Sequence, residues 1–219
     1  MEKILLVDTE TCNGIETENG LDLSNSLIYD IGFMVCDLDG NIYEKHSYTI
    51  ADIFLDKELM ATAYFKDFIP QYWEDIKNGK RKLRRLSTVR HIIYDIVKQY
   101  DIKKIYAYNI KFDYDAFLTT QRYLTSSKYR YFLPFGLQVN DIMKLAKPLY
   151  KDNDYKAFCQ ENGYLTKNGR PQIKAETLAR YYFDKDFTEE HKGLEDCELE
   201  HKILCLLSKK YQDIDTRLW

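Results

Sequence analysis

The chain has 219 residues, 45% of them apolar and 31% charged, and a formal net charge of −3. That size fits one α/β domain with a sizeable core and leaves little room for two. A slightly acidic chain with a pI near 5.9 does not coat nucleic acid through bulk electrostatics, so a polyanion has to be gripped locally.

The five cysteines, Cys12, Cys36, Cys159, Cys197 and Cys205, are odd in number and form no C-x-x-C pair, which argues against a disulfide framework or a zinc ribbon. They fit a reducing compartment. The N-terminus has no signal-peptide pattern, and no apolar run approaches the roughly 18 residues a membrane helix needs. The expectation is a cytoplasmic protein with no membrane partner.

In chain order, an apolar strand is expected over residues 3 to 8, followed by the polar loop CNGIETENGLDLSNS. Two further strands, LIYDIGFMVCD and NIYEKHSYTI, are joined by Asp39-Gly40, a hairpin signal. Residues 52 to 80 read as a mostly helical insertion. Leu86, Val89, Ile92, Ile93, Ile96 and Val97 then recur at helical spacing over 84 to 99. KKIYAYN reads as a short strand and FDYDAFLTTQRYL as the helix after it. A strand near 135 to 139 leads to a helix starting near Asp141, and helices follow near 151 to 161, 174 to 183 and 193 to 210. Strands first, then strands alternating with helices, imply an α/β fold in which a central mixed sheet of five strands is flanked by helices. Residues 1 to 219 are expected to form a single domain.

Three carboxylate positions stand out. In ILLVDTET, Asp8 and Glu10 are two apart, so both project to one side at the end of a buried strand, where ligands of open α/β sheets gather. Asp113 heads a helix that follows another strand, with Phe117 and Leu124 on its stripe. Asp196, in HKGLEDCELEHKILCLL, shares a stripe with Leu199, Ile203 and Leu206; Glu195, Glu198 and Glu200 read as the solvated face. Four acids meeting at one cleft would repel by roughly 4 kcal/mol per pair at 4 Å and an effective dielectric near 20. Divalent cations remove that objection, and carboxylates without thiolates suit Mg²⁺ or Mn²⁺. His191 falls before Gly193, where a helix is expected to begin, so it is placed on a loop that can swing over the metals and accept a proton from water. His46, His91 and His201 read as ordinary surface histidines. The basic run KNGKRKLRR, with Arg90, is the one concentrated positive patch; it reads either as a phosphate-contacting surface or as solvated charge. Cys197, His201 and Cys205 share a helix face, which fits buried helix packing better than a zinc site.

Taken together and in order, DTET at 8 to 11, YNIKFD at 108 to 113 and HKGLED at 191 to 196 resemble the three motifs of the DEDDh, or DnaQ-like, 3′-to-5′ exonucleases of the ribonuclease-H-like superfamily. The resemblance spans residues 3 to 207. The stretch AETLARYYFDKDFTEEHKGLEDCELEHKIL is similar to exonucleases of phages and prophages of low-GC bacteria. Lys192 stands where the tyrosine variant of the superfamily would need Tyr, which favours the histidine class.

The resemblance implies a ribonuclease-H-like fold and release of nucleoside 5′-monophosphates from a free 3′ end of single-stranded DNA or RNA, with DNA weakly favoured. It implies two Mg²⁺ or Mn²⁺ ions, with Asp8 bridging them, Glu10 and Asp196 completing one site, Asp113 acting on the second and His191 serving as general base. Thr9, Thr11, Asn109 and Phe112, within the first two motifs, are the implied substrate-binding residues. Two departures fall outside the five core residues: Tyr108 stands where the family often has His, and Asp30 where it usually has Glu. The alternatives are an exoribonuclease, a proofreading or binding module acting with a DNA polymerase or other replication proteins, and a pseudo-enzyme retained for interaction.

Overall fold

The computed structural model describes residues 2–18, 20–126 and 131–219. Its strands are β1 (Ile4–Cys12), β2 (Ile15–Thr17), β3 (Gly20–Asp22), β4 (Leu27–Cys36), β5 (Ile42–Ile50), β6 (Lys82–Arg84), β7 (Lys104–Ala107) and β8 (Gln138–Asp141). Its helices are α1 (Ala51–Phe54), α2 (Lys57–Met60), α3 (Ile69–Lys77), α4 (Leu86–Gln99), α5 (Ile110–Leu124), α6 (Met143–Ala146), α7 (Asn153–Glu161), α8 (Ala175–Tyr182) and α9 (Gly193–Lys210).

Among the described residues the main sheet has six strands, not five, in the order β6-β5-β4-β1-β7-β8. β4 pairs antiparallel with β1 and β5, while β7 and β8 run parallel to β1. The extra strand, β6, pairs parallel with β5 and comes from the basic run at 77 to 85. Charge hid it, because a short edge strand exposes its lysines and arginines and lacks a continuous apolar face. The polar loop after β1 contains a small second sheet, β2 paired with β3; Asn19 within it lies outside the described residues. The strand expected near 135 to 139 is β8, three residues later, so Asp141 ends a strand and does not start a helix.

Alternation along β1 splits the core into two layers. Leu5 and Val7 face a layer with α4, α5 and the insertion, whereas Ile4 and Leu6 face one with α7, α8 and α9. Asp8 and Glu10 continue the second row, so they emerge at the carboxyl end of β1 on the α9 side. The start of α9 comes unusually close to the sheet. A Cβ on Gly32 would sit 2.0 Å from the Gly193 carbonyl carbon, and one on Gly193 would sit 2.9 Å from the Asp8 carbonyl oxygen. Only two glycines allow the backbones to meet there, and the contact sets Asp196 one turn above β1. At the other edge, the C-terminal segment covers β8: Leu218 N–H donates to Val139 O, and Asp141 N–H donates to Thr216 O, each at 2.8 Å. No described helix is long and apolar enough to cross a membrane.

Candidate active site

The ligand atoms of Glu10, His191 and Asp196 all lie within 4.8 Å of one another. Strand, loop and helix converge there for local reasons. Glu10 sits at a β-bulge where the β1–β4 register shifts. Asp196 is oriented by its own helix start, its Oδ2 accepting from Lys192 N–H at 2.9 Å. His191 occupies the left-handed region at φ 53°, uncommon for a residue other than glycine; its carbonyl accepts from the Tyr72 hydroxyl at 3.2 Å. The sequence placed His191 on a loop free to swing. Instead its ring is stacked on Phe65, with centroids 3.8 Å apart and planes 11° apart.

Asp8 and Asp113 adjoin this trio. Asp113 is buried at the first turn of α5, and its Oδ1 accepts from the Thr9 hydroxyl at 2.7 Å. Thr9 points to the α5 side while its neighbours Asp8 and Glu10 point to the α9 side, so β1 orients carboxylates on both faces. Burial raises the Asp8 carboxyl well above its ordinary range, reinforced by Glu200, Asp113, Asp196 and Glu10. Burial, then Asp196, does the same to Glu10. Burial pushes Asp113 up to about 7; burial and Glu189 push Asp196 up to about 8. Burial lowers the His191 imidazole. A carboxylate-rich cluster with one imidazole, in which the carboxyls resist ionising together, suits a hard divalent cation.

This electrostatic load has a measurable consequence. A carboxyl whose folded pKa is raised favours the fold while protonated; that contribution is complete below the unfolded value and is lost as pH rises through the folded value. Asp113 and Asp196 ionise at an ordinary value of 3.8 when free and at about 7 and 8 when folded. Metal-free protein is therefore expected to lose stability between roughly pH 4 and pH 8, and Mg²⁺ to restore it at the upper end. Thermal melts in EDTA and in Mg²⁺ across that range check this; identical flat curves would contradict it.

Three residues read as solvated are buried. Glu200, 3% exposed, accepts from Tyr108 N–H at 3.1 Å and reaches the cluster beneath Asp8. Its position is four after Asp196, one helical turn on, and that spacing alone would have found it. His201 is buried, with Nε2 2.8 Å from Asp37 O, an interior hydrogen bond and not a surface histidine. Arg81 is fully buried and does not belong to a phosphate-facing patch: its Nη1 donates to both Asp30 oxygens at 2.6 and 2.7 Å, and its Nη2 donates to Glu195 at 3.0 Å. Lys82 and Arg84 remain exposed on β6. Cys197 and Cys205 donate to the carbonyls of Gly32 and Asp37. All five cysteines are free.

Of the residues expected at the substrate, Asn109 caps α5 in the left-handed conformation with its side chain exposed. Its N–H donates to Asp141 Oδ1 at 2.9 Å, a carboxylate the sequence did not single out. Phe112 is half-buried and lines a cavity of about 390 Å³ with Ser24 and Arg122. The Thr9 hydroxyl is already engaged by Asp113, and Thr11 is buried. Tyr108 donates through its hydroxyl to Ile173 O.

No family model matches the chain, and no curated protein does. Solved structures match it well. The nuclease domain of 3′hExo, a DEDDh family member bound to rAMP, is 11% identical, with 99% of this chain and 96% of that one covered and a TM-score of 0.64. The fold is that of the DEDDh 3′-exonucleases. The zinc-ion-bound complex of Escherichia coli exonuclease I with single-stranded DNA is 13% identical, at a TM-score of 0.61, covering 97% of this chain but 42% of that one. This chain thus corresponds to about two fifths of exonuclease I. A 3′-exonuclease solved for 3′-end-specific recognition of a histone mRNA stem-loop is 10% identical, with 98% and 85% covered and a TM-score of 0.63. At identities this low the likeness is one of fold.

Proposed function

We propose that the chain is a divalent-metal-dependent 3′-to-5′ exonuclease acting on single-stranded nucleic acid, with DNA the favoured substrate. The observation that carries this reading is the convergence of Glu10, His191 and Asp196 donor atoms within 4.8 Å at the carboxyl end of β1. The fold shared with proteins solved on single-stranded DNA and on an RNA 3′ end supports it.

In this reading Asp8, Glu10, Asp113 and Asp196 hold two Mg²⁺ or Mn²⁺ ions. Bound there, the ions supply positive charge to the attacking and leaving oxygens of an in-line displacement. The protein's own groups do the rest. Glu10 orients the attacking water, and His191 accepts its proton at a ring nitrogen. Thr9 keeps the Asp113 carboxylate aimed through its 2.7 Å bond. Asn109 and Phe112, open at the start of α5, hold the terminal nucleotide. Products are nucleoside 5′-monophosphates.

The direct test incubates the protein with matched 5′-labelled single-stranded DNA and RNA in Mg²⁺, Mn²⁺ or EDTA and resolves the products by length. A metal-dependent ladder shortening from the 3′ end is expected, faster on DNA. His191→Ala should slow it by about 10²- to 10⁴-fold, the usual contribution of a positioned acid or base. Intact substrate of both kinds, in a folded sample with metal, would rule the reading out.

A further inference from the structure

We propose that the segment from Lys57 to Arg81 is a brace for the third motif and that Phe65 is a positioning residue for His191, an inference that rests on the proposed role of His191 as proton acceptor. Phe65 stacks face to face on the imidazole at 3.8 Å, and Phe68 meets the same ring edge-on at 6.0 Å. Tyr64 meets Phe65 edge-on at 4.8 Å. The same segment grips the backbone on either side. The Tyr72 hydroxyl donates to His191 O at 3.2 Å, and Lys192 Nζ donates to Asp75 Oδ2 at 3.0 Å.

A histidine on a short loop has two rotatable side-chain bonds and several accessible rotamers. The strained left-handed backbone at His191 also needs outside support to persist. Around this imidazole the support comes from aromatic faces: its nearest carboxylate, Glu189, lies 3.9 Å from Nδ1, beyond hydrogen-bond reach. Phe65 is suited to the task because it is only half-buried and, unlike Phe68, Ile69 and Ile76, does not pack against the hydrophobic core. Core filling therefore does not account for it. Its ring meets three others, Tyr64 edge-on at 4.8 Å, Phe68 edge-on at 6.2 Å and His191 face to face at 3.8 Å, and of these only His191 belongs to the site.

The stack holds one imidazole nitrogen toward Glu10 and Asp196, within the 4.8 Å cluster. Losing it spreads the ring over other rotamers and lowers the fraction in the productive one. An aromatic pair of this kind corresponds to about a two- to tenfold population bias. The expected signature is a fall in kcat with KM unchanged, because in the proposed reading Asn109 and Phe112, and not Phe65, hold the terminal nucleotide.

The test compares Phe65→Leu, which keeps apolar bulk without the ring, with Phe65→Tyr, which keeps the ring. Phe65→Leu should lower kcat by about two- to tenfold, leave KM unchanged and lower the melting temperature by a few degrees at most; Phe65→Tyr should restore the rate. In a His191→Ala background, Phe65→Leu should have no further effect. A readout independent of turnover is the ring-proton NMR signal of His191 in metal-free protein, assigned by its loss in His191→Ala. It should lie upfield under the Phe65 ring current and move downfield in Phe65→Leu. A wild-type rate in Phe65→Leu, or the same loss with and without His191, would overturn the brace. If wild-type protein shows no hydrolysis, the exonuclease reading fails separately, and an unshifted His191 ring would then dispose of the brace as well.

Discussion

Asp8→Asn is expected to eliminate metal-dependent hydrolysis, by roughly a thousandfold or more, while leaving the protein at least as stable as wild type in EDTA. The two halves of that expectation have one cause. Asp8 lies among Glu200, Asp113, Asp196 and Glu10, and burial together with these neighbours resists its ionisation. Two carboxylates as close as Glu10 and Asp196, at most 4.8 Å apart, repel by about 3 to 4 kcal/mol at an effective dielectric near 20. Asparagine keeps the shape of Asp8 and removes its charge, so the metal-free fold is relieved of repulsion. It also removes a donor that the proposed cation site cannot replace, because an amide oxygen carries no net charge to offset the metal. Function and stability thus pull in opposite directions, as expected where charge is concentrated for chemistry. Thermal melts in EDTA and a 3′-shortening assay in Mg²⁺ separate the two. A full-rate Asp8→Asn enzyme would remove Asp8 from the site; a large drop in EDTA stability would show that its carboxylate is bonded, not repelled.

The parts of this site that the sequence revealed are those in which a local pattern and a tertiary position coincide. Asp8 and Glu10 follow four consecutive aliphatic residues, so their strand, face and end were all readable from period two. Asp196 was readable because an acid interrupts an apolar stripe. Glu200 lies on that stripe too, at i+4, but its neighbours Glu195 and Glu198 are only half-buried, and composition drew it out with them. Its burial is decided by what the end of β7, packed against α9, offers, the Tyr108 N–H, which no periodicity encodes. Arg81 was missed for the mirror reason: it sits in a run of cations whose other members are exposed, and its partners, Asp30 and Glu195, are 51 and 114 residues away. The Phe65–His191 stack crosses a comparable distance, between a helical insertion and a loop. Local grammar carried the strands and the acids; long-range pairing decided which charged residues went inside.

Arg81→Ala is expected to be the most destabilising single change in the chain's charged set, by about 3 to 5 kcal/mol, because it leaves the Asp30 carboxylate buried without its counter-ion. Asp30 is fully buried and is a hub: besides both bonds from Arg81, it accepts from the Tyr72 hydroxyl at 3.2 Å and from Gly193 N–H at 3.0 Å. The guanidinium also lies 4.7 Å from the centre of the Tyr72 ring. These bonds tie β4, α3 and the first residue of α9 together, so their loss loosens the approach of α9 that carries Asp196 to β1. Lysine should not substitute, since a point charge cannot make the paired contacts of the guanidinium. In a chain this long, 3 to 5 kcal/mol corresponds to a melting-temperature drop of roughly 6 to 20 °C. The loss should persist in high salt, because a buried pair is little screened. Pairing Arg81→Met with Asp30→Asn should recover part of it, since the second change removes the orphaned charge. Urea unfolding of the three variants measures this directly. If Arg81→Ala instead unfolds at the wild-type midpoint and weakens only nucleic-acid binding, Arg81 faces the substrate and not the interior.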